Sequence, residues 1–311
     1  MRRLILASLV AVAALAACER RPADPAAQNR EVCADADGAT AERIAACSAL
    51  IDGGELDEAA RAEVQAHRGA AYRAAGEVTP ALRDFEAVLR VDENNAEALA
   101  GRAYILLASG QLDAAEVFVS RLLANNARPA DAHFLTGEIA QARGDYPAAL
   151  ASYGAAIEAD RDMAIAYARR GRVKQRLDDI DGALGDFDAA LREDASLVDA
   201  RAGRCWLSLQ QERDLTRARS DAETAVAAAP QNVEAQICRG ILQLRGEEWV
   251  PARASFEAAL EVEPGNPNAL FGRGVARRRA GDGDGREDMN RARDFDNHIG
   301  EKFDDWGVRT Y

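Results

Sequence analysis

Catalysis needs a base, a nucleophile or a metal held in close company, and this chain is thinly supplied with residues for any of them. His67, His133 and His298 are its three histidines; they lie far apart, and none has a second ligand at metal-site spacing. There is no GxxxxGK[ST], whose amides would cradle a phosphate, and no GxSxG elbow to present a serine. Gly281-Asp282-Gly283-Asp284-Gly285 invites a calcium reading. However, Arg286 stands where the next oxygen ligand belongs and no glutamate closes the loop at its twelfth position, so a turn is expected instead. Cys205 falls at a helical packing position, not beside a base. Carboxylates abound, 52 Asp and Glu against 39 Lys and Arg, and in a chain of net charge −13 they read as solvated helix faces. That balance opposes a polyanionic partner, and no basic stripe with interleaved aromatics marks a nucleic-acid surface. An enzyme, a metal, a cofactor or a small-molecule substrate is therefore not expected, and an unrecognised carboxylate site is the remaining enzymatic alternative. The chemistry open to such a chain is that of binding.

The elements that would carry a binding surface are visible in residues 137–160, GEIAQARGDYPAALASYGAAIEAD. Small residues stand at Gly137, Ala149 and Ala156, and large apolar ones at Tyr146, Leu150, Tyr153 and Ile157. Gly144-Asp145 interrupts the pattern, as two helices folded back on each other require. The small residue recurs at Gly69, Ala103, Gly137, Gly171, Cys205, Gly240 and Gly274, a step of 34 broken once by 35. The alanine opening the second helix recurs at Ala81, Ala115, Ala149, Ala183, Ala218 and Ala252, and places the extra residue in the same interval, in the turn at 211–214. A third column, Phe85, Val119, Tyr153, Phe187, Ala222 and Phe256, supplies a bulky residue facing the neighbouring unit.

Period and columns together resemble the tetratricopeptide repeat, over residues 62–296. The resemblance implies an all-α fold, an α-α superhelix or solenoid of about seven helix-turn-helix repeats with capping helices at both ends. Residues 31–61 read as an N-terminal half-repeat cap, with Ile44, Cys47, Leu50 and Ile51 on one face. Residues 297–311 read as a C-terminal cap in which Ile299, Phe303 and Trp306 share a face, the alternative being an exposed apolar helix that docks a partner. Cys33 and Cys47 flank the first cap, and a disulfide between them would staple a segment with little core of its own, the alternative being two small buried thiols. Cys205 and Cys238 sit on neighbouring first helices, so a second bridge is open to them, and four cysteines permit three pairings. Arg68, Arg102, Arg170, Arg204, Arg239 and Arg273 precede the small residue, and Asp84, Asp186 and Asp221 precede the bulky one. We expect these to pair across each hairpin, in preference to a row of cations awaiting an acidic ligand.

The N-terminus begins Met1-Arg2-Arg3, continues with an uncharged run over residues 4–17 and ends Leu15-Ala16-Ala17-Cys18. The run is too short to span a bilayer and suits a signal-peptide core. It resembles the lipobox of bacterial lipoproteins, which implies a signal peptide over 1–17, lipidation of Cys18 (palmitate among the acyl chains) and a membrane anchor. Glu19 after the cysteine favours, by the same resemblance, the outer membrane over the inner, with the protein on the periplasmic side of the cell envelope. An ordinary secretory signal is the alternative. Residues 18–30, with two prolines and no large apolar residue, read as a lipidated, extended tether.

In this repeat family the first helices line a groove. Carried over column by column, its lining is Tyr104, Leu107, Phe134, Arg172, Arg176, Trp206, Leu209, Ile237, Ile241, Leu244, Phe271, Val275 and Arg278. Aromatic and aliphatic anchors beside arginines suit an extended peptide of somewhat acidic character, and Trp206 is the leading single candidate. The alternative is that many of these residues simply pack between helices. The family's carboxylate clamp needs Lys and Asn in columns that here hold Ala66, Ala100, Phe134 and Ala168, and Ala70, Tyr104, Glu138 and Arg172, so that ligand is not expected. The function implied is a protein-interaction scaffold or adaptor at the bacterial envelope. The alternative is a structural envelope lipoprotein without a groove ligand.

Overall fold

The computed structural model describes residues 24–283 and 285–309. The signal peptide, Cys18, the first part of the tether, Asp284 and residues 310–311 lie outside the described residues. Those described form seventeen α-helices and no strand. They fall into two compact units, one ending at Gly101 and the other beginning at Arg102.

In the first unit α1 (Pro25–Ala34) and α2 (Thr40–Asp52) pair, followed by the hairpin α3 (Glu58–Ala74) and α4 (Val78–Val91) and the opening of α5 (Ala96–Ala108). This corrects two sequence expectations. The tether predicted over 18–30 gives way to helix at Pro25, because Asp24 caps the amide of Ala26 and proline at the first helical position has its φ already set. The N-terminal cap is a helix pair, not a half-repeat beginning at residue 31. Cys33 and Cys47 are joined, with their Cα atoms 5.0 Å apart, and share a small core with Ala46, Leu50 and Val64.

In the second unit α6 (Leu112–Ala124), α7 (Pro129–Ala142), α8 (Tyr146–Ala159), α9 (Ala164–Arg176), α10 (Ile180–Glu193), α11 (Val198–Gln210) and α12 (Leu215–Ala228) continue the alternation. It proceeds through α13 (Val233–Arg245), α14 (Trp249–Val262), α15 (Pro267–Arg279) and α16 (Gly285–Phe295), and ends with the short α17 (Ile299–Asp305). The turn inside a repeat is three residues long from α3 to α10 and again between α13 and α14. Several of these turns place a glycine at positive φ, as at Gly76, Gly110 and Gly144. Between α11 and α12 the turn spans 211–214, where Glu212 and Asp214 both take left-handed backbone. The extra residue is accommodated there, as the two offset columns require.

The bulky column acts as a plug between two first helices. Phe85 fills the space that a Cβ at Gly69 would need, 2.7 Å from its ring, and its other edge meets Gly101 of the following helix. Phe187 stands likewise between Gly171 and Gly203, and Phe256 between Gly240 and Gly272. Where the column holds Ala222, the two flanking positions are Cys205 and Cys238, joined as a disulfide in the same buried cluster. The bridge occupies the place of the missing ring. In the last repeat Gly285 takes the position of the opening alanine, since a Cβ there would run into the carbonyl of Gly274.

The arginine and aspartate columns pair across the hairpins. Arg68 meets Asp84 at 2.8 Å, Arg170 meets Asp186 at 2.7 Å and Arg204 meets Asp221 at 2.7 Å. Arg273 finds Asp288 at 2.6 Å, and Arg239 donates to the hydroxyl of Ser255. Hydrogen bonding to the aspartate raises the pKa of Arg68 and Arg170. Burial, with no carboxylate in the equivalent place, lowers that of Arg239.

Candidate docking groove

Within the second unit the first helices α9, α11, α13 and α15 adjoin one another in a row. Small residues at their crossings let the backbones approach, so the side chains one position and four positions later project from the row. The predicted lining residues do lie along these helices and along α5 and α7, but most of them are covered. Phe134, Leu209, Ile237, Ile241, Leu244, Phe271 and Val275 are all buried. Phe134 packs between the rings of Tyr104 and Tyr153, whose centroids are 6.4 and 5.8 Å away. The half-buried Tyr104 donates its hydroxyl to Asp131 at 3.3 Å, and Leu107 is half-buried beside it on the same helix.

The cover over the α11–α15 section is the chain's own C-terminal segment. Ile299, Phe303, Trp306 and Val308 are buried in one cluster with Leu209, Ile237, Ile241, Leu244, Phe271 and Val275. Phe303 packs on Phe271 with ring centroids 4.9 Å apart, and Trp306 meets Trp206 edge-on at 5.1 Å. Arg245 Nη1 donates to the carbonyl of Trp306 at 2.7 Å, and Arg279 Nη2 to that of Arg309 at 3.0 Å. A terminal cap was expected at 297–311. The segment does more than close the last repeat, because Trp206 and Arg245 belong to two earlier ones.

Beyond Trp206 the row remains open. A recess of about 250 Å³ is bounded by Trp206, Val233, Glu234, Ile237, Glu263, Asn266 and Asn268. The recess has an apolar floor and a carboxylate rim. Arg172, predicted as a cation for an acidic peptide, is spent on Glu234, with Nη1 at 2.8 Å, and on the carbonyl of Asp199. Burial works against the charge of Arg172, and the hydrogen bonds and charge of Glu234 outweigh it, so its pKa lies above the ordinary value. Arg176 and Arg278 are exposed and do not line the recess. Sequence reasoning missed Glu234 and Asn268, which stand at equal distance before Gly240 and Gly274 and so form a column of their own. It also missed Glu263 and Asn266, in the loop before α15.

The histidines take no part. His67 and His133 lie on α3 and α7, and His298 pairs with Glu301 at 3.0 Å. Among the described residues no group of three or more His, Cys, Asp or Glu could hold a metal ion. Asp282 of the glycine-rich turn faces Arg253 and Arg277.

Comparison with known proteins agrees with this architecture. Among solved structures, PilF of Pseudomonas aeruginosa superposes with a TM-score of 0.57 at 16 % identity, over 70 % of this chain and 97 % of that one. YrrB, described as a TPR protein with an unusual peptide-binding site, gives 0.48 at 22 % identity, over 58 % and 92 %. MamA gives 0.44 at 15 %, over 56 % and 94 %. No curated protein matches the chain. Two tetratricopeptide-repeat profiles match, one over residues 72–139 and the other over 134–198 and 240–285. They cover more than half of the sequence, and with the seven hairpins from α3 to α16 they make this chain a member of the tetratricopeptide-repeat family, a family of protein-interaction scaffolds.

Proposed function

We propose that the chain is a lipid-anchored adaptor on the periplasmic side of a bacterial envelope membrane, the outer more than the inner, which holds a protein by a short segment laid along the row of first helices. The observation that carries the binding reading is the open recess beside Trp206. An indole and two aliphatic side chains form an apolar seat, and Glu234 and Glu263 rim it, which fits a peptide that presents an apolar anchor next to a lysine or arginine. The role is non-enzymatic, being that of a surface and not of a reacting centre. The envelope reading rests on Leu15-Ala16-Ala17-Cys18 after a basic start and an apolar run, together with cysteine pairs suited to an oxidising compartment.

Two experiments separate the parts. In cells, a photo-crosslinker placed at Asn268 should capture one defined protein, and Trp206→Ala should abolish that adduct in a protein that still melts cooperatively. An adduct that survives the substitution would remove the recess as the binding site. Cys18→Ala should move the protein from the membrane pellet to the soluble periplasmic fraction; retention in the pellet would end the lipid-anchor reading.

A further inference from the structure

The groove already has an occupant, and its mode of attachment describes what else could sit there. Residues 296–309 contribute a short helix whose Ile299, Phe303 and Trp306, at i, i+4 and i+7, face inward and are buried. The opposite face is solvated and held by an ion pair of Lys302 with Asp296 at 2.6 Å and a hydrogen bond between His298 and Glu301. Groove and tail divide the work. Side-chain recognition falls to Trp206 and Phe271, which receive the two aromatics, and backbone recognition falls to Arg245 and Arg279, each gripping a main-chain carbonyl. A grip on the backbone does not depend on which side chains the segment carries. Gly307 is the tail position where a side chain is strained: its φ is +73°, and a Cβ would lie 2.7 Å from the guanidinium carbon of Arg245, which would have to move aside. The tail also stops short of filling the row, because Trp206, which bears Trp306 on one side, lines the open recess as well.

We propose that residues 296–309 are a resident pseudo-ligand of the docking groove, and that the external partner is an amphipathic helix of the same design that displaces them. That helix carries an aliphatic residue, an aromatic and a tryptophan at i, i+4 and i+7, followed by glycine. The inference rests on the adaptor reading above, and it adds the partner's chemistry and a closed state of the site. A partner gains by reaching from the anchors of the tail into the neighbouring recess, which the tail leaves vacant.

The test uses the full chain and a fluorescent synthetic peptide of residues 296–309. The unaltered protein should bind the peptide weakly, because its site is filled. Gly307→Ala, which keeps every apolar anchor but loosens the grip of Arg245 on the tail, should bind the peptide at least ten-fold more tightly, and Gly307→Ala with Trp206→Ala should lose that gain. Equal affinity of the first two proteins, or binding by neither, overturns the proposal. A measurement on the unaltered chain needs no variant. The amides of α17 should exchange hydrogen at least ten-fold faster than those of α15, and equal rates would mean that the tail opens only with the repeats, as a permanent cap. A dimer in light scattering that Gly307→Ala dissolves would place the tail on a second copy and also overturn it. The adaptor reading fails independently, through a crosslinked partner that ignores Trp206→Ala.

Discussion

A buried carboxylate is tolerated because a cation faces it, so its worth is measured by what remains when the cation is removed. Asp84 and Asp186 offer a controlled comparison. Asp84 is buried on α4 with Arg68 as its ion-pair partner, whereas Asp186 on α10 is met by both Arg170 and Lys174, the latter at 2.8 Å. Arg68→Leu should therefore leave a buried charge and cost about 3 kcal/mol in urea unfolding of the full chain, the low end for a buried pair because Arg68 itself is partly exposed. Arg170→Leu should cost less than half of that, since Lys174 keeps its hold on Asp186. Equal losses would show that the second cation contributes nothing. This part of the molecule was legible from two residue columns at fixed offset. The pairing of Arg273 with Asp288 was not, because the degenerate last turn displaces that aspartate from its column.

At the scale of the helix pair, the interlock is a ring seated between two backbones, and the sequence holds more of it than one column reveals. Phe85, Phe187 and Phe256 are each followed sixteen residues later by glycine, Gly101, Gly203 and Gly272, whereas Val119 is followed by Leu135 and Ala222 by Cys238. Apart from Tyr153, which is followed by Arg169, small faces large, so total volume is kept. The rule was hidden because reading it requires knowing that one residue touches two first helices. It makes the disulfide at Cys205 and Cys238 a substitute plug, and that can be tested by exchange. With Cys33 and Cys47 both replaced by alanine, the triple variant Cys205→Gly, Cys238→Gly and Ala222→Phe should fold without a bridge and melt at the same temperature with or without reductant. Ala222→Phe alone, forced against the bridge, should lose about 1–3 kcal/mol by overpacking. A triple variant that fails to melt cooperatively would show that the bridge does more than fill space. The C-terminal helix marks the limit of such reading, since an end cap and a segment folded onto earlier repeats require the same i, i+4, i+7 pattern. Only the partners of Phe303 and Trp306 distinguish them.

For the molecule as a whole the governing quantity is charge. A net −13 over 311 residues repels acidic partners at long range and draws basic ones, and the recess concentrates that sign at Glu234 and Glu263. Glu234 is partly neutralised by Arg172, which leaves Glu263, exposed at the rim, as the carboxylate that an approaching cation meets first. A rim charge acts mainly on the rate of encounter, and its effect fades as salt shortens the Debye length to about 8 Å at physiological ionic strength. Glu263→Lys should therefore slow association of the crosslinked partner several-fold at low salt, leave dissociation nearly unchanged, and match the unaltered protein once salt approaches 1 M. Trp206→Ala should do the reverse, raising dissociation at every ionic strength, because an aromatic seat holds a ligand already in place. If Glu263→Lys instead accelerated association, the partner would carry acidic anchors after all. The charge of this groove would then be set by Arg176 and Arg278, outside the recess, and not by the carboxylates that rim it.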